Sequence, residues 1–237
     1  MNIRRQHVTV PLNKLFDRYI GGPNRPVFFD VEQCYPALNE ITRNYPIIRQ
    51  ELESILARRD SLPRYHELDA SQYNISGRLQ THRDWKVFML YAMGLKPASN
   101  REQCPRTCAL LDRIPNLWQA FFSILDPGKS IPPHEGPYKG YLRYHLGLKI
   151  PDKNPPTIRV KDRYHTWRAG ESILFDDSWE HEVFNESEDT RAILIVDVMR
   201  PMPPLPHIAN LLVKKVYLRG YRRKLRTNLA AHDQSEE

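Results

Sequence analysis

Between Gly140 and Leu148 the side chains alternate: Leu142, Tyr144, Leu146 and Leu148 fall on one face, Tyr141, Arg143, His145 and Gly147 on the other. A period of two fits a strand and excludes a helix. Leu117–Leu125 is rich in apolar and aromatic residues, and Thr157–Lys161, Ser172–Phe175 and Arg191–Val198 also read as strands. Turn signals separate them at Asp126-Pro127-Gly128, Asn154-Pro155-Pro156 and Ala169-Gly170, and Pro201-Met202-Pro203-Pro204 closes the region. Several short strands joined by turns predict a mainly β sandwich or barrel, such as a jelly roll.

The residues before Leu117 have a helical period. Pro36 suits a first helical turn, and Tyr45-Pro46 breaks that segment. Ile48, Leu52, Ile55 and Leu56 then form an apolar stripe, with Glu51 and Glu53 early and Arg58 and Arg59 late, as the helix dipole prefers. Gln103 to Leu111 reads as one short helix. The expected layout is one domain over residues 1–210, with a helical front (30–115) packed on a jelly-roll core (117–204), then a basic tail over 211–237. A chain of 237 residues suits one large domain, and 41% hydrophobic with 27% charged residues is not a disordered composition.

No apolar run approaches the ~20 residues that a membrane span needs. The opening MNIRRQHVTV has no apolar segment behind its charges, so no secretory signal is expected. Three cysteines, Cys34, Cys104 and Cys108, point to a reducing, cytoplasmic setting. Cys104 and Cys108 share a helix face and read as core residues rather than a metal or redox pair.

Two histidines stand near strands. His134 opens HEGPYKGYLRYHLGL, and His181 sits in FDDSWEHEVFN. Imidazole is the commonest metal ligand near neutral pH, and ligands on the ends of different strands suit a jelly-roll metal site. Arg143 and His145 share a strand face. Arg191 begins an apolar strand and points with Ile193 and Ile195. It either pairs with Asp176, Asp177, Glu188 or Asp189, or grips a carboxylate ligand through its planar fork. His66, His82, His165 and His207 have no metal-favouring spacing, and Trp118, Trp167 and Trp179 read as core or rim. No nucleophile elbow, phosphate loop or paired-cysteine zinc motif occurs.

Three ordered blocks carry a resemblance: HEGPYKGYLRYHLGLKIP, WRAGESILFDDSWEHEVFN and TRAILIVDVMRP. The stretch from about Leu117 to Pro204 resembles the aspartyl/asparaginyl β-hydroxylase family, iron(II)- and 2-oxoglutarate-dependent dioxygenases on a double-stranded β-helix. The resemblance implies that His134 and His181 bind iron. It implies that Arg191, assisted by Ser123, holds the distal carboxylate of 2-oxoglutarate and that His145 lies near the other one. Arg143 would face the substrate pocket, and Asp177 would hold a metal-bound water.

Gly136 stands where iron oxygenases usually place a third, carboxylate ligand. Glu135 would look away from the metal, because adjacent strand residues face opposite sides. Gly in that place resembles the β-hydroxylases with two protein ligands, whereas some lipid-modifying relatives keep Asp. The implied reaction is hydroxylation of an unactivated carbon, with dioxygen consumed and 2-oxoglutarate decarboxylated to succinate. The expected substrate is an aspartyl or asparaginyl β-carbon. The alternatives are a lipid acyl chain, of the lipid A type, or a non-catalytic acid-binding barrel.

Leu211–Arg226 carries Lys214, Lys215, Arg219, Arg222, Arg223, Lys224 and Arg226 and no acid, which matches the chain's whole excess of +7. It reads as a solvated tail or as a basic amphipathic segment touching the surface of an anionic membrane. Nucleic acid is not expected as a partner.

Overall fold

The computed structural model describes residues 3–77 and 83–235; His82 lies outside them. The strands are β1 (Phe28–Phe29), β2 (Trp85–Ala92), β3 (Leu117–Leu125), β4 (Ile131–His134), β5 (Tyr141–Lys149), β6 (Thr157–Val160), β7 (Arg163–Thr166), β8 (Ser172–Phe175), β9 (His181–Phe184) and β10 (Arg191–Met199). One antiparallel sheet runs β1-β8-β5-β10-β3-β2, the other β4-β9-β6-β7. Eight strands, β3 to β10, thus form the jelly roll, and β1 and β2 extend its larger sheet at the edges.

The helices are α1 (Ile3–Ile20), α2 (Val31–Cys34), α3 (Asn39–Arg43), α4 (Tyr45–Leu56), α5 (Tyr65–Leu68), α6 (Tyr73–Ser76), α7 (Ala98–Gln103), α8 (Pro105–Leu111), α9 (Pro204–Leu212) and α10 (Leu218–Ser235). Gln103 to Leu111 is not one helix: the chain leaves helical geometry at Cys104 (φ −130°, ψ 55°). Proline disfavours the helical conformation of the residue before it, and Pro105 starts α8 afresh. No helix among the described residues is long and apolar enough to cross a membrane.

The larger sheet is buried on both faces, which gives two cores. On its outer face Leu142, Tyr144, Leu146 and Leu148 of β5 and Ala192, Leu194 and Val196 of β10 pack against Leu38, Ile48, Leu52 and Ile55 of the helical front. Cys104 and Cys108 belong to this core as free thiols, and burial pushes them up to about 12 and about 11. On the inner face Phe121, Tyr141, Ile193 and Ile195 meet Ile158, Val160 and Val183 of the smaller sheet. Leu211 to Arg226 reads as a basic segment. It is helical, and Val213, Leu225 and Leu229 are buried in the inner core.

Candidate active site

The inner faces of three neighbouring strands set the site in rows. Strand register places Gln119, Asp197 and Arg143 side by side, then Phe121, Ile195 and His145, then Ser123, Ile193 and Gly147. Residues two apart share a face, so Arg191 falls on this inner face as well. The smaller sheet supplies His134 and His181, cross-strand partners whose rings lie 4.1 Å apart between centroids.

Each histidine has one ring nitrogen committed to the backbone. His134 Nδ1 lies 2.8 Å from the Pro132 carbonyl, and His181 Nδ1 lies 2.9 Å from the Trp179 carbonyl. A carbonyl only accepts, so both Nδ1 atoms carry the proton, and each Nε2 keeps its lone pair. Desolvation favours the neutral form: it lowers His134 to about 4 and His181 well below its usual range. Two neutral imidazoles with open Nε2 atoms are a donor set for a divalent transition metal. Among the described residues no group of three or more His, Cys, Asp or Glu is arranged to hold one.

Asp177 stands beside this pair. It is buried, and its Oδ2 accepts from Tyr141 Oη at 3.0 Å and pairs with an Arg143 terminal nitrogen at 3.2 Å. Its Oδ1 is buried without a protein partner. Desolvation, opposed by Arg143, raises it to about 7. β4 ends at His134, so Gly136 is not a strand position, and its φ lies outside the left-handed region. What constrains it is space: a Cβ there would sit 2.6 Å from the Asp177 carboxyl. The room in which a ligand from position 136 would start is already taken by Asp177.

Arg191 is 1% exposed. The four acids near it in sequence do not pair with it. Asp176 is held by Arg25 at 2.8 Å and Arg200 at 2.6 Å, Asp177 by Arg143, and neither Glu188 nor Asp189 reaches Arg191. Its hydrogen bond goes to Ser123 Oγ at 3.3 Å, which also accepts from Trp85 Nε1 at 2.9 Å. The guanidinium lies 4.1 Å from the Trp167 ring centre, Nε has no partner, and desolvation lowers the group to about 9. His145 is buried between Trp167 and Phe175 with both ring nitrogens unpartnered. Buried polar atoms normally find partners, so these orphans form a cradle for a small anion with further acceptors.

A cavity of about 500 Å³ opens onto His134, His181, Asp177 and Arg143. Its walls are largely apolar, with Ile75, Trp85, Met93, Trp118, Tyr138 and Val213 contributed by the front, the sheet and the C-terminal segment. Arg143 reaches it already committed, forked onto Asp197 at 2.8 and 2.9 Å. Sequence reasoning missed Asp197, Tyr141 and Trp85. Asp197 had a signal, since it lies on the same alternating face as Arg191. Trp85 had none, because its partner Ser123 comes from a distant strand.

Residues 42–201 match the sequence model of a family described as aspartyl/asparaginyl beta-hydroxylase. The chain is 41% identical over 186 residues to an ornithine lipid ester-linked acyl 2-hydroxylase of Rhizobium tropici, covering 78% of this chain and 64% of the relative. It is 40% identical over 128 residues to an aspartyl/asparaginyl beta-hydroxylase of Mus musculus, covering 52% of this chain and 17% of that protein. The chain therefore spans less than two thirds of either relative. Among solved structures, a Pseudomonas putida prolyl-4-hydroxylase aligns with 66% of this chain and 88% of its own at 15% identity, with a TM-score of 0.41.

Proposed function

The chain belongs to the aspartyl/asparaginyl β-hydroxylase family, and from that premise we propose that it is an iron(II)- and 2-oxoglutarate-dependent hydroxylase of a lipid acyl chain. The observation that supports the cofactor reading is the buried Arg191, which pairs with no carboxylate among the described residues and whose Nε is left unpartnered on the inner face of the larger sheet. His134 and His181 would hold the iron. Arg191 and Ser123 would take the distal carboxylate of 2-oxoglutarate, with the His145 nitrogens toward its other end. Iron, when bound, would activate dioxygen as the oxidant; one oxygen atom would enter the C–H bond and the other 2-oxoglutarate, which is oxidised to succinate and carbon dioxide.

The chain's own residues do the rest. The Nδ1 hydrogen bonds orient both imidazoles, and burial keeps them neutral. Tyr141 and Arg143 hold Asp177 with Oδ1 free to accept from a water or a substrate group. Ile75, Trp85 and Met93 give the cavity an apolar lining that fits an alkyl chain.

Two observations support the acyl substrate: the apolar cavity wall, and a likeness to the lipid hydroxylase that extends over 78% of the chain. Gly136 favours the second reading, an aspartyl or asparaginyl β-carbon. Succinate formation with iron(II), measured against ester-linked acyl lipids and against aspartyl peptides, tests both. Iron-dependent turnover with the lipid and not the peptide is expected. Turnover with the peptide alone would replace the substrate reading, and none without His134 or His181 is expected in either arm.

A further inference from the structure

The C-terminal helices carry an apolar surface that the reaction does not use. On α9, Pro206, Asn210 and the following Val213 point inward. Leu205, Ile208, Leu211 and Leu212 point outward and are 69%, 55%, 40% and 56% exposed. A surface helix normally turns charged and polar residues to water, and contiguous exposed apolar side chains mark a binding face. The charge on the segment that carries this face has one sign. No Asp or Glu occurs from 198 to 232, and Lys215, Arg223, Lys224 and Arg226 are exposed.

This surface adjoins the cavity. Asn210 Nδ2 donates to the Gly140 carbonyl at 2.6 Å, and Asn210 Oδ1 accepts from Tyr138 Oη at 2.8 Å. Tyr138 and Val213 both line the cavity, and Tyr138 lies in the loop that His134 opens. The outward Leu212 is the immediate neighbour in sequence of Val213, which lines the wall.

We infer that α9 and the basic segment after it form an interfacial helix that seats the protein on an anionic lipid bilayer. Leu205, Ile208 and Leu212 enter the acyl layer, and Lys215, Arg223 and Lys224 meet the headgroups. An apolar helix face flanked by cations is what such a surface selects. A second copy of this chain would bring the same cations against one another in an isologous contact, so the bilayer is the better complement. The inference deepens the lipid-acyl reading and rests on it for what the bilayer delivers: an acyl chain that reaches the cavity past Val213 and Tyr138 without crossing water.

Co-sedimentation of the full chain with phosphatidylcholine vesicles, with and without phosphatidylglycerol, tests it. The full chain should bind the anionic vesicles and lose affinity as salt rises. Leu205→Ser/Ile208→Ser/Leu212→Ser should weaken binding at least about tenfold, since each side chain is apolar surface withdrawn from water. Lys215→Glu/Arg223→Glu should weaken it by about fivefold or more per residue. Both variants should melt as the parent does, and both should keep iron-dependent turnover of a short-chain, monomeric acyl ester. Failure of the full chain to bind anionic vesicles overturns the proposal. So does undiminished binding by the apolar variant, including the case where that variant instead converts a dimer to monomer. Binding without acyl turnover overturns the substrate reading and leaves this surface standing.

Discussion

Stripping a guanidinium of water costs several kcal/mol unless an anion or hydrogen bonds replace its hydration. Arg191 has one hydroxyl and one indole face in place of water. Losing a desolvated charge-assisted contact costs about 2–5 kcal/mol, so Arg191→Ala should raise the 2-oxoglutarate needed for half-maximal turnover at least about thirtyfold. Arg191→Lys should recover part of that, because an ammonium cannot make the forked contact. A titration of cosubstrate against succinate reads both, and an unchanged midpoint in Arg191→Ala would remove the role. Gly136 is decided at the same scale. Gly136→Asp does not add a third ligand, because its Cβ would collide with the Asp177 carboxyl. Forced overpacking of this kind costs about 1–3 kcal/mol. The variant should melt lower and push Asp177 off Tyr141 and Arg143, with no gain in iron affinity. Tighter iron binding at an unchanged melting temperature would show instead that the new carboxylate is accommodated.

The larger sheet separates what stabilises the protein from what reacts. Leu52 of α4 is wholly buried against the outer face, away from the histidines. Leu52→Ala should therefore cost about 2–5 kcal/mol in denaturant unfolding and leave the cosubstrate midpoint where it was; a shifted midpoint would mean that the two faces are coupled. The same division explains what the sequence disclosed. The alternation in β5 is strong because each of its faces meets a different core, and it correctly grouped Arg143 with His145. The stripe of α4 was legible because Ile48, Leu52 and Ile55 meet one surface. Of the four-residue strands, β6 and β8 show as β-branched or apolar runs between turn signals, whereas β4 (IPPH), β7 (RYHT) and β9 (HEVF) carry prolines, histidines or charged residues that hide them. Edge strand β2 shows no alternation, because all but one of its residues are buried. The alternative ion pairs for Arg191 rested on closeness in sequence. Arg25, Arg200 and Arg143 reach those carboxylates across strand order, which no local pattern displays.

At the scale of the whole molecule, the inner core is a place where imidazoles are kept uncharged. His134 is lowered to about 4, and His181 and His145 are lowered well below 6.5, all chiefly by desolvation. As pH falls from 6.5 toward 4, the unfolded chain takes up protons at these positions and the folded chain does not. Stability from these groups is thus full above 6.5 and is lost as pH falls through that window, by about 1.4 kcal/mol per pH unit for each proton of difference. Asp177 works in the opposite sense. Its folded value of about 7 lies above its ordinary 3.8, so its contribution is full below 3.8 and is lost as pH rises through 7. Three histidines against one carboxyl leave the metal-free protein weaker on the acid side. Replacing His134 and His181 by Asn removes two of the three without adding a titrating group. The melting temperature of His134→Asn/His181→Asn, taken relative to the parent without metal, should therefore improve steadily from pH 6.5 to pH 4. A difference that stays constant over that range would mean that the folded protein takes up protons on these imidazoles as readily as the unfolded chain, which is incompatible with burial holding them neutral.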